Sequence, residues 1–212
     1  MEHSSIPVGK LPGKLIIFEG PDGVGKTTLS QQMQVILEAR GQQCKWLSFP
    51  GREDGSLGRA VYDLHHEPER FGVHSMTATA KQALHIAAHL DAIEYRIKPW
   101  LAAGIHVILD RFWWSTWVYG ITSGLVPELL QALITAEKIC WGNAQPSLAF
   151  LVETDAPRDR ENEDIANWQA LKQAYRVLVH QEQENHPIVL LLNTSTLEEA
   201  TQRIADSLQS LP

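Results

Sequence analysis

The sequence predicts an α/β fold in which a five-stranded parallel sheet carries helices on both faces, as a three-layer sandwich. Short apolar runs, typical of strands buried on both faces, recur five times along the 212 residues. Patterns with apolar residues three or four positions apart separate these runs, and such alternation is typical of a parallel sheet. The five runs occupy residues 15–18, 43–49, 104–110, 146–152 and 187–193.

The first run, residues 15–18, ends at Glu19 and passes into a glycine-rich stretch. This stretch, GPDGVGKT from Gly20 to Thr27, fits the pattern G-x-x-x-x-G-K-[ST] of a P-loop. A helical pattern follows and ends before Gly41. Because the motif lies between a strand and a helix, as a P-loop requires, the prediction becomes a P-loop NTPase fold that binds a nucleotide.

The chemistry expected of this loop follows from its residue types. Glycines let backbone N–H groups turn toward an anion, and the helix that follows adds its positive dipole end. Lys26 is expected to neutralise the terminal phosphates of a nucleotide, and the Thr27 hydroxyl to hold a Mg²⁺ ion. The predicted ATP-binding residues are Gly20, Asp22, Gly23, Val24, Gly25, Lys26, Thr27 and Thr28.

Charged residues stand at the carboxyl ends of the second and third strands, where ligands collect in open α/β sheets. Arg52 follows the second strand, and Asp110 and Arg111 end the third. Asp110 is predicted to organise the magnesium ion, or alternatively only to cap the next helix. Arg52 and Arg111 are predicted to grip a phosphate, the alternative being solvated surface arginines.

Two helical patterns lie in the middle of the chain. The first is a long helix that Gly104 ends. Its apolar stripe consists of Leu90, Ile93, Ile97, Trp100 and Leu101. The second is marked by Leu129, Leu130, Leu133 and Ile134.

Composition and charge exclude several classes of function. A formal net charge of −7 disfavours nucleic-acid polymers as partners. Cys44 and Cys140 are too far apart in sequence for a paired metal-ligand motif and are expected to be reduced thiols. Because no apolar run reaches about 18 residues and the opening lacks the apolar core of a signal peptide, we expect no membrane segment and a cytoplasmic location. Residues 1–13 are predicted to be a flexible leader and residues 14–212 a single domain.

In combination these motifs resemble those of the thymidylate kinases. The resemblance rests on FEGPDGVGKTT, on FPGRE after the second strand, on DRFWWST and the tyrosine three residues later, and on PSLAFL in the fourth strand. It implies transfer of the γ-phosphoryl group of ATP to a deoxynucleoside 5′-monophosphate, with dTMP, which gives dTDP, as the favoured acceptor. It also implies Mg²⁺ as cofactor and a homodimer.

The resemblance assigns acceptor-site roles to individual residues. Asp22 corresponds to a carboxylate that contacts the 3′-hydroxyl of the acceptor sugar. Arg52 and Arg111 correspond to arginines on the acceptor phosphate, and Tyr119 to an aromatic residue that crowds the 2′ position. The polar pair near the base corresponds to Ser115 and Thr116.

The sequence departs from the family pattern at the acceptor base. His85 and His89 stand where relatives usually carry a stacking phenylalanine and a base-contacting arginine. The pair has three interpretations: contact with the base, an ordinary partly polar helix face, or a metal site. No third ligand is evident nearby in the sequence, which disfavours the metal.

The second departure is a shortened lid, at about residues 156–164. Relatives carry an arginine-rich segment here, whereas this chain has only Arg158 and Arg160, each followed by acidic residues. A missing catalytic arginine can cost ~10³–10⁵ in rate. Either one of these arginines reaches the γ-phosphate, or a partner supplies the charge, or turnover is poor.

Two alternatives to the monophosphate kinase follow from these departures. A deoxynucleoside kinase would transfer to a 5′-hydroxyl, which needs a general base, and Glu19 is the nearest candidate. It would also leave Arg52 without an acceptor phosphate. A nucleotide-binding regulatory module would bind ATP with little turnover.

Overall fold

A computed structural model describes residues 11–158 and 164–208 of the chain. Five strands form one parallel sheet in the order β2-β3-β1-β4-β5. They are β1 (Leu15–Glu19), β2 (Cys44–Ser48), β3 (His106–Asp110), β4 (Pro146–Glu153) and β5 (Ile188–Leu192). The predicted fold class and all five strands are confirmed. The third strand begins two residues later than predicted, because Gly104 forms a turn at φ 80° before it.

Eight α-helices connect and flank the strands within the described part of the chain. They are α1 (Lys26–Ala39), α2 (Leu57–His66), α3 (Ala78–Ala92), α4 (Lys98–Ala102), α5 (Trp113–Thr122), α6 (Pro127–Trp141), α7 (Ile165–Glu182) and α8 (Leu197–Ser207). A 3₁₀ turn, Pro68–Phe71, follows α2. A π-helical segment, Ile93–Ile97, joins α3 to α4, so the predicted long helix is continuous but locally widened. Gly104 lies just beyond its end, as predicted.

The sheet separates two apolar cores, because successive strand residues point to opposite faces. On one face, Ile16, Phe18 and Phe150 pack against α1 and α8. On the other face, Ile17 and Leu109 pack against apolar residues from α3 to α7. All the strand residues in β1 are buried, which explains their uninterrupted apolar run.

Both cysteines are free thiols, Cys44 buried and Cys140 partly exposed. None of the helices in residues 11–158 and 164–208 is long and apolar enough to cross a membrane.

Candidate active site

Residues that follow all five strands meet in one cavity at the carboxyl edge of the sheet. Its volume is about 770 Å³, within the usual range of small-molecule sites. Ten of the predicted site residues line it: Asp22, Gly23, Gly25, Lys26, Thr27, Thr28, Arg52, Asp110, Arg111 and Arg158. The sequence therefore identified most of the charge that faces this cavity.

The glycine-rich loop takes a shape that only glycine permits at several positions. Gly20, Gly23 and Gly25 all have positive φ. A Cβ atom on Gly25 would lie 2.6 Å from the side-chain nitrogen of Asn193. That same nitrogen donates a hydrogen bond to the carbonyl oxygen of Val24 at 2.8 Å. Asn193, which follows β5, thus holds the loop closed through a contact that no local sequence pattern predicts.

Lys26 is bound to its own loop. Its Nζ donates to the carbonyl oxygen of Pro21 at 2.7 Å and lies 3.9 Å from a carboxylate oxygen of Asp22. Burial, and then the charge of Arg111, lower the pKa of Lys26 to about 8. Asp22 also forms an ion pair with Arg111. One carboxylate is therefore shared between the two cations.

Thr27 and Asp110, which are predicted to bind magnesium, lie in direct contact. The Thr27 hydroxyl donates to Asp110 Oδ2 at 2.5 Å. Asp110 Oδ1 is buried and has no hydrogen-bond partner among the described residues. Hydroxyl and carboxylate oxygens are the ligands that Mg²⁺ prefers, and a buried oxygen without a donor needs a cation or water. These residues fit the ion.

Arg111 has a left-handed backbone, with φ 84°, the only described non-glycine residue with positive φ. Its guanidinium donates to the Ser115 hydroxyl at 3.0 Å and to Asp22, and lies 5.4 Å from the centre of the Tyr119 ring. Burial raises the pKa of Tyr119 to about 12, so the phenol remains neutral at physiological pH. Arg111 is thus held from three sides.

Arg52 lines the cavity from the loop after β2 and is exposed. Its guanidinium lies 4.7 Å from the centre of the Tyr62 ring in α2. The next residue, Glu53, accepts a hydrogen bond from Arg96 in the π-helical segment at 2.9 Å. The structure therefore brings Arg52 and Arg111 to the same cavity from adjacent strands.

The other predicted acceptor residues lie outside the lining of the cavity as the described residues define it. Ser115 and Thr116 are buried in α5, and the Ser115 hydroxyl contacts Glu19 and Tyr175. Two predicted ATP-site residues also do not line it. Val24 is buried, and a Cβ on Gly20 would lie 2.3 Å from a backbone oxygen of β4.

His89 has structural partners on two sides. Its Nδ1 lies 2.8 Å from an oxygen of Glu137, a fully buried residue of α6, and its ring centre lies 4.2 Å from that of Phe49. His85 meets the edge of His65, and burial lowers the pKa of His85 to about 3. Within residues 11–158 and 164–208 no group of three potential metal ligands occurs. Contact of either histidine with a base stays a prediction.

The described part of the lid places Arg158 against the P-loop. Its backbone N–H donates to the carbonyl oxygen of Gly23 at 2.9 Å, and its guanidinium donates to the carbonyl oxygen of Asn193 at 2.5 Å. Gly23 permits this approach, since a Cβ there would lie 3.0 Å from the Arg158 nitrogen. Arg160 lies outside the described residues.

Sequence reasoning missed several residues at the cavity, and three residues that it did not predict make contacts that shape the site. Trp46 in β2 lines it, and its ring N–H donates to Ser30 at 2.8 Å. Trp168 in α7 donates to the carbonyl oxygen of Asp22 at 2.9 Å. Asn193 could have been found by the rule that identified Arg52, because it too follows a strand. Neither tryptophan carries a sequence signal of this kind.

Comparison of the sequence with known proteins identifies the family of this chain. The family model for thymidylate kinase matches residues 18–204. A thymidylate kinase of Nitrobacter hamburgensis is 32% identical over 192 residues, which cover 83% of this chain and 80% of that protein. A thymidylate kinase of Nitrobacter winogradskyi is 32% identical over 182 residues, 78% of this chain and 76% of that protein.

The fold agrees with the same assignment. The crystal structure of thymidylate kinase from Ehrlichia chaffeensis superimposes with a TM-score of 0.74 at 21% identity, and the match covers 93% of this chain and 99% of that one. From the matched residues and the relatives' identity and coverage, we conclude that the chain belongs to the thymidylate kinase family.

Proposed function

We propose that this protein transfers the γ-phosphoryl group of ATP to the 5′-phosphate of dTMP, which gives dTDP, with Mg²⁺ as cofactor. The observation that carries the proposal is one cavity in which the P-loop lysine, the Thr27–Asp110 pair and arginines that follow two further strands converge. Transfer between two polyanions requires neutralised charge and aligned oxygens, and no covalent intermediate on the protein. The residues that line this cavity can supply both requirements.

At the donor end, the N–H groups of the loop and Lys26 would bind the β- and γ-phosphates. The Thr27 hydroxyl and the Asp110 carboxylate would hold the magnesium ion. When bound, the ion neutralises phosphate charge and fixes the phosphates relative to each other. Arg158, whose backbone N–H donates to Gly23, would add a positive charge at the donor end of the cavity.

At the acceptor end, Arg52 and Arg111 would bind the phosphate of the monophosphate. Two guanidinium groups offer paired N–H donors that suit a phosphate. An acceptor phosphate would replace Asp22 as the partner of Arg111, which frees the Asp22 carboxylate for the sugar hydroxyl. Tyr119, Ser115, Thr116, His85 and His89 stay predicted acceptor-site residues.

The contacts of Glu19 disfavour the deoxynucleoside kinase. Its carboxylate is completely buried and already accepts hydrogen bonds from Phe112, Ser115 and Tyr175. A general base must reach the proton that it removes, directly or through one water molecule. Glu19 does not line the cavity, and the two arginines there suit an acceptor that already carries a phosphate.

A panel of acceptors tests the proposal. ATP consumption is followed with magnesium and, in turn, the four common deoxynucleoside monophosphates, dUMP and the corresponding nucleosides, beside a Lys26→Ala control. We expect turnover with dTMP and background rates for the nucleosides and for the control. Preference for a nucleoside would support the deoxynucleoside kinase. Tight ATP binding without turnover for any acceptor would support the regulatory module.

We further propose that the protein is a cytoplasmic homodimer, with residues 14–212 as one kinase domain preceded by the predicted leader. The leader is shorter than residues 1–13, because Leu11 is buried in the core and the Gly13 N–H donates to the carbonyl oxygen of Leu101 at 2.9 Å. Membership of the thymidylate kinase family supports these proposals. Light scattering on the purified chain measures the mass in solution. A mass close to that of one 23.8 kDa chain at micromolar concentration would contradict the dimer.

A further inference from the structure

Glu19, the last residue of β1, is completely buried, and both of its carboxylate oxygens accept hydrogen bonds. Oε1 accepts from the backbone N–H groups of Phe112 at 2.7 Å and Ser115 at 3.0 Å. Oε2 accepts from the hydroxyls of Ser115 at 2.7 Å and Tyr175 at 3.0 Å. Burial of a carboxylate is costly unless it is fully bonded. Such a group at the edge of an active-site cavity therefore requires an explanation.

The backbone bonds of β1 flank the strained residue of the site. Arg111 has φ 84°, a backbone conformation that residues other than glycine rarely adopt and that the surroundings must enforce. Its own N–H donates to the carbonyl oxygen of Phe18 at 2.9 Å. The next N–H, that of Phe112, donates to Glu19. Two consecutive residues of β1 thus fix the peptide groups on both sides of Arg111.

The side chain of Arg111 depends on the same carboxylate through one intermediate. Its guanidinium donates to the Ser115 hydroxyl oxygen at 3.0 Å, and that hydroxyl in turn donates to Glu19. The Tyr175 hydroxyl, 2.8 Å from Ser115, completes the cluster from α7. The cluster of Glu19, Ser115 and Tyr175, none of which lines the cavity, therefore supports Arg111.

We propose, on the basis of the proposed function, that Glu19 is a positioning residue of phosphoryl transfer, which holds Arg111 in the conformation that meets the acceptor phosphate. Only a carboxylate suits this place, because every neighbour of its oxygens is a donor. A glutamine in one orientation turns its NH₂ group toward the backbone donors Phe112 and Ser115. In the other orientation its NH₂ competes with Arg111 for the Ser115 hydroxyl oxygen.

Glu19→Gln tests the proposal because it changes charge and hydrogen bonding at nearly constant volume. Glu182→Gln is the matched control: Glu182 is a buried carboxylate bonded to Lys138 and Asn185 at the C-terminal end of α7, away from the cavity. We measure kcat and KM for dTMP, the Kd of ATP, and the melting temperature of each variant.

We expect Glu19→Gln to lower kcat/KM for dTMP about ten- to hundred-fold, as misplacement of a substrate-binding group does. The Kd of ATP should change less than about three-fold, since Lys26 keeps its contacts. Tyr175→Phe, which removes one hydroxyl, should produce a smaller loss in the same direction. Glu182→Gln should lower the melting temperature without changing kcat/KM for dTMP.

Equal losses in ATP affinity and in kcat/KM for dTMP would overturn the proposal, because they would indicate general damage to the fold. If Glu19→Gln does not fold, the same comparison is made on Tyr175→Phe. If the wild-type protein phosphorylates no monophosphate, the proposed function fails. The inference then rests on a crystal structure of a variant, where Arg111 should leave its positive φ or its contact with Ser115. An unchanged Arg111 would refute it.

Discussion

The buried lysine of the P-loop leads to a prediction about pH. In the protein without nucleotide, burial and the neighbouring Arg111 lower the pKa of Lys26 from 10.5 to about 8. This change corresponds to about 3 kcal/mol of lost preference for the charged form. Bound phosphates favour the ammonium group and raise the pKa again. ATP binding should therefore take up a proton on Lys26 at and above pH 8.

The size of the effect follows from the fraction of protein that carries a charged lysine. That fraction is about nine tenths at pH 7, about one half at pH 8 and about one tenth at pH 9. If only the charged form binds ATP well, the association constant at pH 9 should be about ten-fold lower than at pH 7. Proton uptake per ATP bound should be about one half at pH 8.

The assay is calorimetric titration with ATP at several pH values, in two buffers with different ionisation enthalpies. The difference between the buffers gives the number of protons taken up. Lys26→Arg should abolish the pH dependence between pH 7 and pH 9, because a guanidinium stays charged there. Lys45→Arg, at an exposed position of β2, should behave as the wild type does. A wild-type affinity that is constant to pH 9 would refute the reasoning.

Three further predictions concern single contacts. Gly25→Ala places a Cβ 2.6 Å from Asn193 at φ 89° and should lower the free energy of urea unfolding more than the control Gly41→Ala. At Gly41 the added Cβ has no neighbour within 4 Å, so the control has only the strain of φ 72°, about 1–2 kcal/mol. Equal losses would contradict the close packing. Asp110→Asn should raise the Mg²⁺ concentration for half-maximal turnover about ten-fold or more, and an unchanged requirement would remove Asp110 from the metal site. Arg158→Ala should lower kcat about 10³-fold or more while KM for dTMP stays within about two-fold; an unchanged kcat would assign the lid charge elsewhere.

Much of the fold was predictable because buried parallel strands leave uninterrupted apolar runs, and because ligands collect where such strands end. The same rule predicted that Arg52, Asp110 and Arg111 would meet at one site, and all three line one cavity. Loop geometry was predictable at Gly23 and Gly25, since the P-loop pattern requires backbone that approaches phosphate closely.

The rest depends on partners that are remote in sequence. Glu19 finds Tyr175 156 positions away, and Asn193 finds Val24 169 positions away. The sequence around Glu19 and Asn193 does not predict which residue either one contacts. His89 is a similar case, because its contact with Glu137 depends on how α3 packs on α6. The sequence left three interpretations for His85 and His89, namely contact with the base, an ordinary helix face and a metal site, and none of them included that glutamate.

The carboxylate that Lys26 and Arg111 share has a consequence for which anions the protein attracts. Asp22 acts as an internal counter-ion, so sulfate, chloride or free phosphate must displace a group that is already tethered nearby. We expect a lone inorganic ion to make fewer compensating contacts than a nucleotide, which adds those of its sugar and base. Asp22 is therefore expected to favour nucleotides over background electrolyte.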